Sequence, residues 1–506
     1  MHKFAHLDHR HVWHPFTQMR DWLAREPIVI TSGKGTVLRD VHGKEYLDGN
    51  ASIWTNLHGH GHPTINSAIR KQLKRIAHSS ALGLANEPAS LLAERLVKAA
   101  GSWSAEWGVQ SAESSGNQNT HYLSKVFFSD DGSTAIEVAL KLAYEFARRT
   151  GPSQRPRFLS LEGAYHGDTV GAVSLGHIDL FHKAYAGLLF KTDKVMAPYC
   201  YRCPFNRAKP ERADARHYRK CQWECVKAVE RKFAKQKDKS SPYAAMVVEP
   251  LIQGAAGMIP QPEGWLNRVA EIARHHGALL IADEVMTGFG RTGVERPSSP
   301  HASRITHHAS SSTLSPQPPT PLFACQHEGV QPDFLALAKG MTAGYLPMAA
   351  TLTTQDVFDV FLGEYSEFKT FFHGHSFTGN QLGAAAALAN LDLLESPASI
   401  RARRKLAHNL RDHVESLWLL PNVGDIRQVG LIVGIELVKN WRTREPLDIR
   451  ERAGIRVCEA MARRGVLTRP IGDVIVLMPP YCTSPTQAER MVAALRDGVE
   501  EVFGGS

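Results

Sequence analysis

The 506-residue sequence predicts an α/β protein, with a large domain on a central, mostly parallel sheet and a smaller α+β domain after it. Three observations predict this. Short apolar runs such as "AAMVVEPLI" (244–252) and "GALLIADEV" (277–285) are continuous rather than alternating, as in strands buried on both faces. Each follows a stretch with helical spacing, so strands and helices alternate. Beyond about residue 380 the pattern changes to long helices around "VGLIVGIELV" and "DVIVLMPP". A chain of this length exceeds one ordinary core, and roughly two or three folding units are expected.

In chain order, residues 28–48 alternate apolar and polar positions, with Gly33, Gly35 and Gly43 as turn formers; they read as short strands. Residues 63–77 and 86–100 carry helical spacing. "KVFFSDDGSTAIEVALKLAYEFARR" reads as strand, polar loop and amphipathic helix, and "RFLSLEGAYHGDTVGAVSL" opens as another strand. "DFLALAKGMTAGYLP" (333–347) is a further apolar strand, handing over at Lys339 to small residues. Two stretches break the pattern. Residues 101–123 are polar and turn-rich. Residues 294–321 are rich in Ser, Pro and His and cannot bury a core, so a solvated surface insertion is expected there rather than a metal tract.

Apolar content of 43% and charged content of 22% are those of a soluble globular protein. The sequence has no apolar run near the roughly 18 residues of a membrane span. Its N-terminus lacks the apolar core of a secretory signal, so the cytoplasm is the expected compartment. The net charge of +9 is spread without a basic block, which argues against nucleic acid and for small anionic ligands.

Cys325, Cys458 and Cys482 are scattered, whereas Cys200, Cys203, Cys221 and Cys225 form C-x2-C-x17-C-x3-C, near zinc-ribbon spacing. "CQWEC" reads as helical, which would put Cys221 and Cys225 on one face. Reduced thiols packed in a surface subdomain are the expected state, with structural metal the alternative, and no metal is assigned.

Four loci carry chemistry. In "SDDGST", Gly132 and Ser133 open a helix, where free N–H groups suit a phosphate, although an ordinary N-cap has the same residues. "LLIADEV" puts Asp283 at the carboxyl end of a strand, where ligands bind in open parallel sheets. "GAYHGDT" puts Tyr165, His166 and Asp168 after a strand; an aromatic there could stack on a flat ring, or the stretch could be a turn on Gly163 and Gly167. Lys339 is the fourth. A phosphate cradle, an aromatic plate, a carboxylate for a pyridine nitrogen and a lysine for an aldehyde together suit pyridoxal 5′-phosphate. Burial and neighbouring cationic charge would keep the Lys339 amine nucleophilic, and Gly340, Ala343 and Gly344 would leave room for the ring.

"IADEVMTGFGRTG", "LALAKGMTAGYLP" and "HGHSFTGNQLGAAAALANLDLL" resemble, in this order, the signatures of class III aminotransferases of pyridoxal-phosphate fold type I. The resemblance implies a homodimer with sites at the subunit interface. "GHSFTGN" is similar to the segment that reaches the partner's cofactor phosphate, with Ser376, flanked by His375, as the donor. "HVWHPFTQM" (11–19) and "RPIGDVIVLMPPY" (469–481) resemble the branch that aminates 8-amino-7-oxononanoate in biotin biosynthesis. That implies Arg469 for the substrate carboxylate and, through "ASIWTNLHGHGHP", a substrate wall at Trp54, with Gly374 near the substrate. Phe16, Ile53 and Val476 depart from aromatic residues found in some members. The resemblance implies S-adenosylmethionine or lysine as amino donor; "FHGHSFTGNQLG" and "YRCPF" resemble the lysine-using branch. Other readings are an ω-aminotransferase acting on a diamine, β-alanine or taurine-like amine, a racemase or mutase on the same fold, and a homologue inactivated by the insertion. The implied division is 1–65 as an N-terminal segment serving the small domain and substrate wall, 66–380 as the cofactor-binding domain and 381–506 as the small domain.

Overall fold

The computed structural model describes residues 1–101, 122–153, 155–237, 241–294 and 320–504. The two stretches read from sequence as loops, 101–123 and 294–321, lie outside the described residues except at their ends.

After two helices, Lys3–His11 and Met19–Leu23, the chain forms an antiparallel meander of β1 (Ile30–Lys34), β2 (Val37–Asp40) and β3 (Glu45–Asp48). A seven-stranded sheet follows, built from β4 (Leu123–Ser129), β5 (Arg157–Leu161), β6 (Asp193–Val195) and β7 (Tyr243–Val248). A short ribbon of β8 (Ile252–Gln253) and β9 (Ile259–Pro260) interrupts. Then β10 (Leu279–Asp283), β11 (Phe334–Leu337) and β12 (Ala349–Thr354) complete the sheet in the order β4-β12-β11-β10-β7-β5-β6. The β5–β6, β5–β7, β7–β10 and β10–β11 pairs are parallel. β12 runs antiparallel to both of its neighbours, β11 and β4, so every other strand points one way.

Burial explains the continuous apolar runs. All six residues of β7 are buried, so each needs an apolar side chain whichever face it meets. Fully burying one Val or Met is worth about 1.5–3 kcal/mol. The helix Gly132–Thr150 starts where Asp131 accepts from the Thr134 N–H, and it buries Ala135, Ile136, Val138, Ala139, Leu142 and Ala143. Because the strands share a direction, β4, β5, β7, β10 and β11 deliver Gly132, Tyr165, Glu249, Asp283 and Lys339 to one sheet edge.

The C-terminal sheet contains β13 (Val423–Val429), β14 (Ile432–Leu437), β16 (Pro470–Ile471) and β17 (Val474–Leu477), in the order β13-β14-β17-β16. Between them β15 (Val466–Leu467) leaves that sheet and pairs in parallel with β3, Val466 opposite Leu47. Among the described residues no helix is long and apolar enough to cross a membrane.

The cysteine segment differs from the sequence expectation. The helix starts at Glu224, and Trp223 before it has φ +60°, so Cys221 is not helical and shares no helix face with Cys225. The four cysteines nonetheless line one small cavity of about 10 Å³. All are free thiols, and burial pushes Cys200 up to about 12 and Cys225 up to about 11. Among the described residues no group of three or more His, Cys, Asp or Glu is arranged to hold a metal ion.

Candidate active site

A cavity of about 730 Å³ lies at the carboxyl edge of the large sheet and is lined by Lys339, Asp283, Tyr165, Gly132, Ser133 and Trp54 among others. Lys339 comes after the end of β11 with one residue between them, and its amine stands 4.8 Å from the centre of the Trp54 ring. Burial pushes this ammonium below its ordinary range, against the pull of Asp283 and Glu249. The expectation of cationic neighbours is therefore corrected: the charges beside the lysine are anionic, and desolvation alone lowers it. Of the small residues expected to leave room, Gly344 lines the cavity. Gly340 does not: a Cβ there would meet Leu57 at 3.3 Å and Phe289 at 3.4 Å.

Asp283 is buried and placed by two contacts. Its Oδ1 accepts from the Val285 N–H at 3.1 Å, and its Oδ2 stands 2.7 Å from His166 Nδ1. Burial alone would lower the His166 pKa; the bond to Asp283 and its charge outweigh burial and raise it. Among the described residues His166 Nε2 is buried without a hydrogen-bond partner.

Sequence reasoning missed Glu249. It is buried directly after β7, accepts from the N–H groups of Gly254 (2.7 Å) and Tyr165 (3.3 Å), and burial pushes it up to about 7. The signal was available: Glu249 ends an apolar strand in "VVEPL" just as Asp283 does in "LLIADEV".

Glu284 was also passed over. It is fully buried, accepts from the N–H groups of Ala324 (2.5 Å) and Cys325 (2.8 Å), and burial pushes it up to about 7. A raised carboxyl stabilises the fold fully below its ordinary value near 4.5, and that contribution is lost as pH rises through about 7. Each such group contributes a slope of at most about 1.4 kcal/mol per pH unit. Denaturant unfolding between pH 5 and 8 should contain a component from the raised carboxyls in which stability falls with pH, set against the opposite component from His58 and His177, which burial pushes down to about 4. Glu284→Gln should shrink the falling component without abolishing it, because Glu249 and Asp425 are also pushed up to about 7. An unchanged slope would contradict the assignment.

Ser133 Oγ accepts from the Thr169 N–H at 3.0 Å, joining the helix start to the Tyr165 turn. At Gly167, with φ +120°, a Cβ would come within 2.4 Å of Ser133 Oγ. At Gly132 it would come within 2.6 Å of Val285 Cγ1. Both positions therefore require glycine for backbone to approach this closely. Tyr165 donates its hydroxyl to Asp168 at 2.7 Å, and burial raises its pKa.

The wall segment Ala51–Trp54 is a left-handed turn, with φ of 49°, 50°, 61° and 70° in sequence. Asp48 holds it by accepting from the Ser52 N–H and hydroxyl. The turn puts Trp54 in the cavity and leaves Ile53 42% exposed and off the cavity lining. Val476 is buried in the apolar cluster against which Trp54 packs. The Phe16 ring lies 6.4 Å from Tyr165, so the N-terminal segment reaches the site. Arg469 is exposed and does not line the cavity, nor do Gly374, His375 and Ser376. His78 Nε2 instead meets the Ser376 carbonyl at 2.8 Å.

A glycine-lined helix start, a tyrosine ring, a buried carboxylate and a desolvated lysine around one cavity fit pyridoxal 5′-phosphate. The family model described as aminotransferase class-III matches residues 20–295 and 320–499. The chain belongs to the class III aminotransferases. This aminotransferase is 45% identical over 98% of its length to the adenosylmethionine-8-amino-7-oxononanoate aminotransferase of Geobacter sulfurreducens, covering 97% of that relative. The crystal structure of the enzyme of that name from Methanocaldococcus jannaschii matches with a TM-score of 0.82 and 35% identity, covering 98% of each chain. A PLP-bound amine transaminase from an uncultivated Pseudomonas species matches with a TM-score of 0.80 and 31% identity, covering 97% of the aminotransferase and 98% of that chain. The α/β fold is that of the PLP-dependent transaminases, and pyridoxal 5′-phosphate is the cofactor.

Proposed function

We propose that this aminotransferase converts 8-amino-7-oxononanoate to 7,8-diaminononanoate in biotin biosynthesis. The observation that carries the reading is the near-full-length identity, up to 45%, to proteins bearing that activity in their names. The N-terminal segment supports it, because Phe16 reaches the Tyr165 side of the cavity.

When bound, the cofactor supplies an electron sink for the substrate carbon. Gly132 and Ser133 would hold its phosphate at the helix start, Tyr165 would cover its ring and Asp283 would keep a proton on its ring nitrogen. Lys339 would take the aldehyde and, once displaced by the amino donor, remove the proton from the donor's amine-bearing carbon. The depressed Lys339 pKa suits this role, since a larger share of the amine is unprotonated near neutral pH. Arg469 would grip the acceptor carboxylate from outside the cavity lining, and Trp54 would form the wall.

A homodimer fits the residues that one chain leaves unused. Gly374 and Ser376 are exposed outside the cavity, and Phe372 and Phe377 beside them are 71% and 61% exposed. Ser376 and His375 would then serve the partner's phosphate. The cytoplasm and the domain division at residues 66 and 381 complete the proposal.

The test starts from the aminotransferase loaded with pyridoxal phosphate. Adding 7,8-diaminononanoate should convert the lysine-bound absorbance to that of the aminated cofactor; a spectrum that stays unchanged overturns the substrate assignment. S-adenosylmethionine and lysine, added separately, identify the donor, and the relatives' names favour the first.

A further inference from the structure

Asn390 is fully buried on the helix Gln381–Glu395. A buried amide is costly unless its groups are paired, and these are. Its Nδ2 donates to the carbonyls of Gly340 (3.0 Å) and Met341 (2.9 Å), the two residues after Lys339. Carbonyls only accept, so the nitrogen must face them and Oδ1 must face His58 Nε2, 2.8 Å away. His58 therefore carries its proton on Nε2 and donates it. Burial pushes the pKa of His58 down to about 4, so the ring stays neutral near pH 7.

Lys339 has φ +39°, a backbone region that residues with a Cβ rarely enter. Such strain lasts only where the surroundings over-determine it. Inside the loop, the Met341 N–H donates to the Ala338 carbonyl and the Ala343 N–H to the Gly340 carbonyl. Asn390 adds a tie from another element. We propose that Asn390 is a positioning residue for the reactive lysine. It holds the strained backbone after Lys339 by two carbonyls and joins it, through His58, to the segment that carries Trp54. The Lys339 loop and the substrate wall are thereby registered against one buried side chain, and the 4.8 Å approach of the Lys339 amine to the Trp54 ring depends on it.

The inference rests on Lys339 being the reactive amine. Asn390→Leu removes the donors and the acceptor at similar volume. In the PLP-loaded enzyme, the readouts are the pH midpoint of the lysine-bound absorbance, and kcat and KM for 8-amino-7-oxononanoate. In the cofactor-free protein they are the rate at which an acylating reagent labels Lys339, followed by peptide mass spectrometry, and the unfolding midpoint. We expect a displaced pH midpoint, an altered labelling rate and a fall in kcat of about tenfold or more with KM little changed, since small displacements at a reacting group are costly. His58→Leu should move the same readouts in the same direction. A lower unfolding midpoint with absorbance, labelling and kcat all unchanged would overturn the inference. Should Asn390→Leu not fold, Asn390→Ser is read by the same criteria. Lys339→Ala tells the two failures apart: if it keeps the lysine-bound absorbance, the lysine assignment falls, and this inference with it.

Discussion

Lys339→Ala is expected to lower kcat by about four orders of magnitude, the upper range for a positioned acid–base group, with its covalent role lost as well. The protein should still fold. Lys339 is held against its charge by desolvation, so removing the ammonium relieves a burial cost and should leave the unfolding midpoint equal or higher. Cofactor should still bind through the cradle at Gly132 and Ser133, but without the lysine-bound absorbance. A small primary amine in the buffer should restore part of the activity, because it can move the proton that Lys339 moved. Full activity in Lys339→Ala, or loss of folding in place of chemistry, would remove Lys339 from the proposed role.

Asp283→Asn is expected to cost about a thousandfold in kcat, within the range for a group that controls one proton. The substitution keeps shape and an acceptor for the Val285 N–H but removes the charge. Two consequences follow. A ring nitrogen loses the carboxylate that keeps it protonated, and His166 loses the interaction that raises its pKa. The second has its own pH signature. A histidine with a raised pKa adds stability that is complete below its ordinary 6.5 and is lost as pH rises through the raised value. Asp283→Asn should erase that component, seen as a flatter stability profile on the alkaline side of 6.5. Cofactor affinity should change far less than kcat, because the phosphate cradle is untouched. A variant with normal kcat would reassign Asp283 to a purely structural pairing with His166.

Much of the large sheet was legible because burial on both faces leaves a plain mark: "AAMVVEPLI" and "LLIADEV" have no polar face to hide. The residues at their ends were legible for the same reason, as a charge or glycine standing where an apolar run stops. Glu249 carried that mark and was passed over. The "CQWEC" segment failed for a local reason: helical spacing alone cannot reveal that Trp223 takes a positive φ and delays the helix to Glu224.

The sequence by itself determined the α/β class, the family and the set of residues at the strand ends, because strand burial and short motifs are properties of neighbouring positions. Tertiary structure alone decided how those residues meet. Parallel pairing gathers Lys339, Asp283, Glu249 and Tyr165 at one edge from positions far apart in the chain. A left-handed turn at Ala51–Trp54, disfavoured for residues with a Cβ, puts Trp54 over the lysine. The sign of the charges around Lys339 was decided there too, since electrostatic neighbours are set by distance in space and not by separation along the chain.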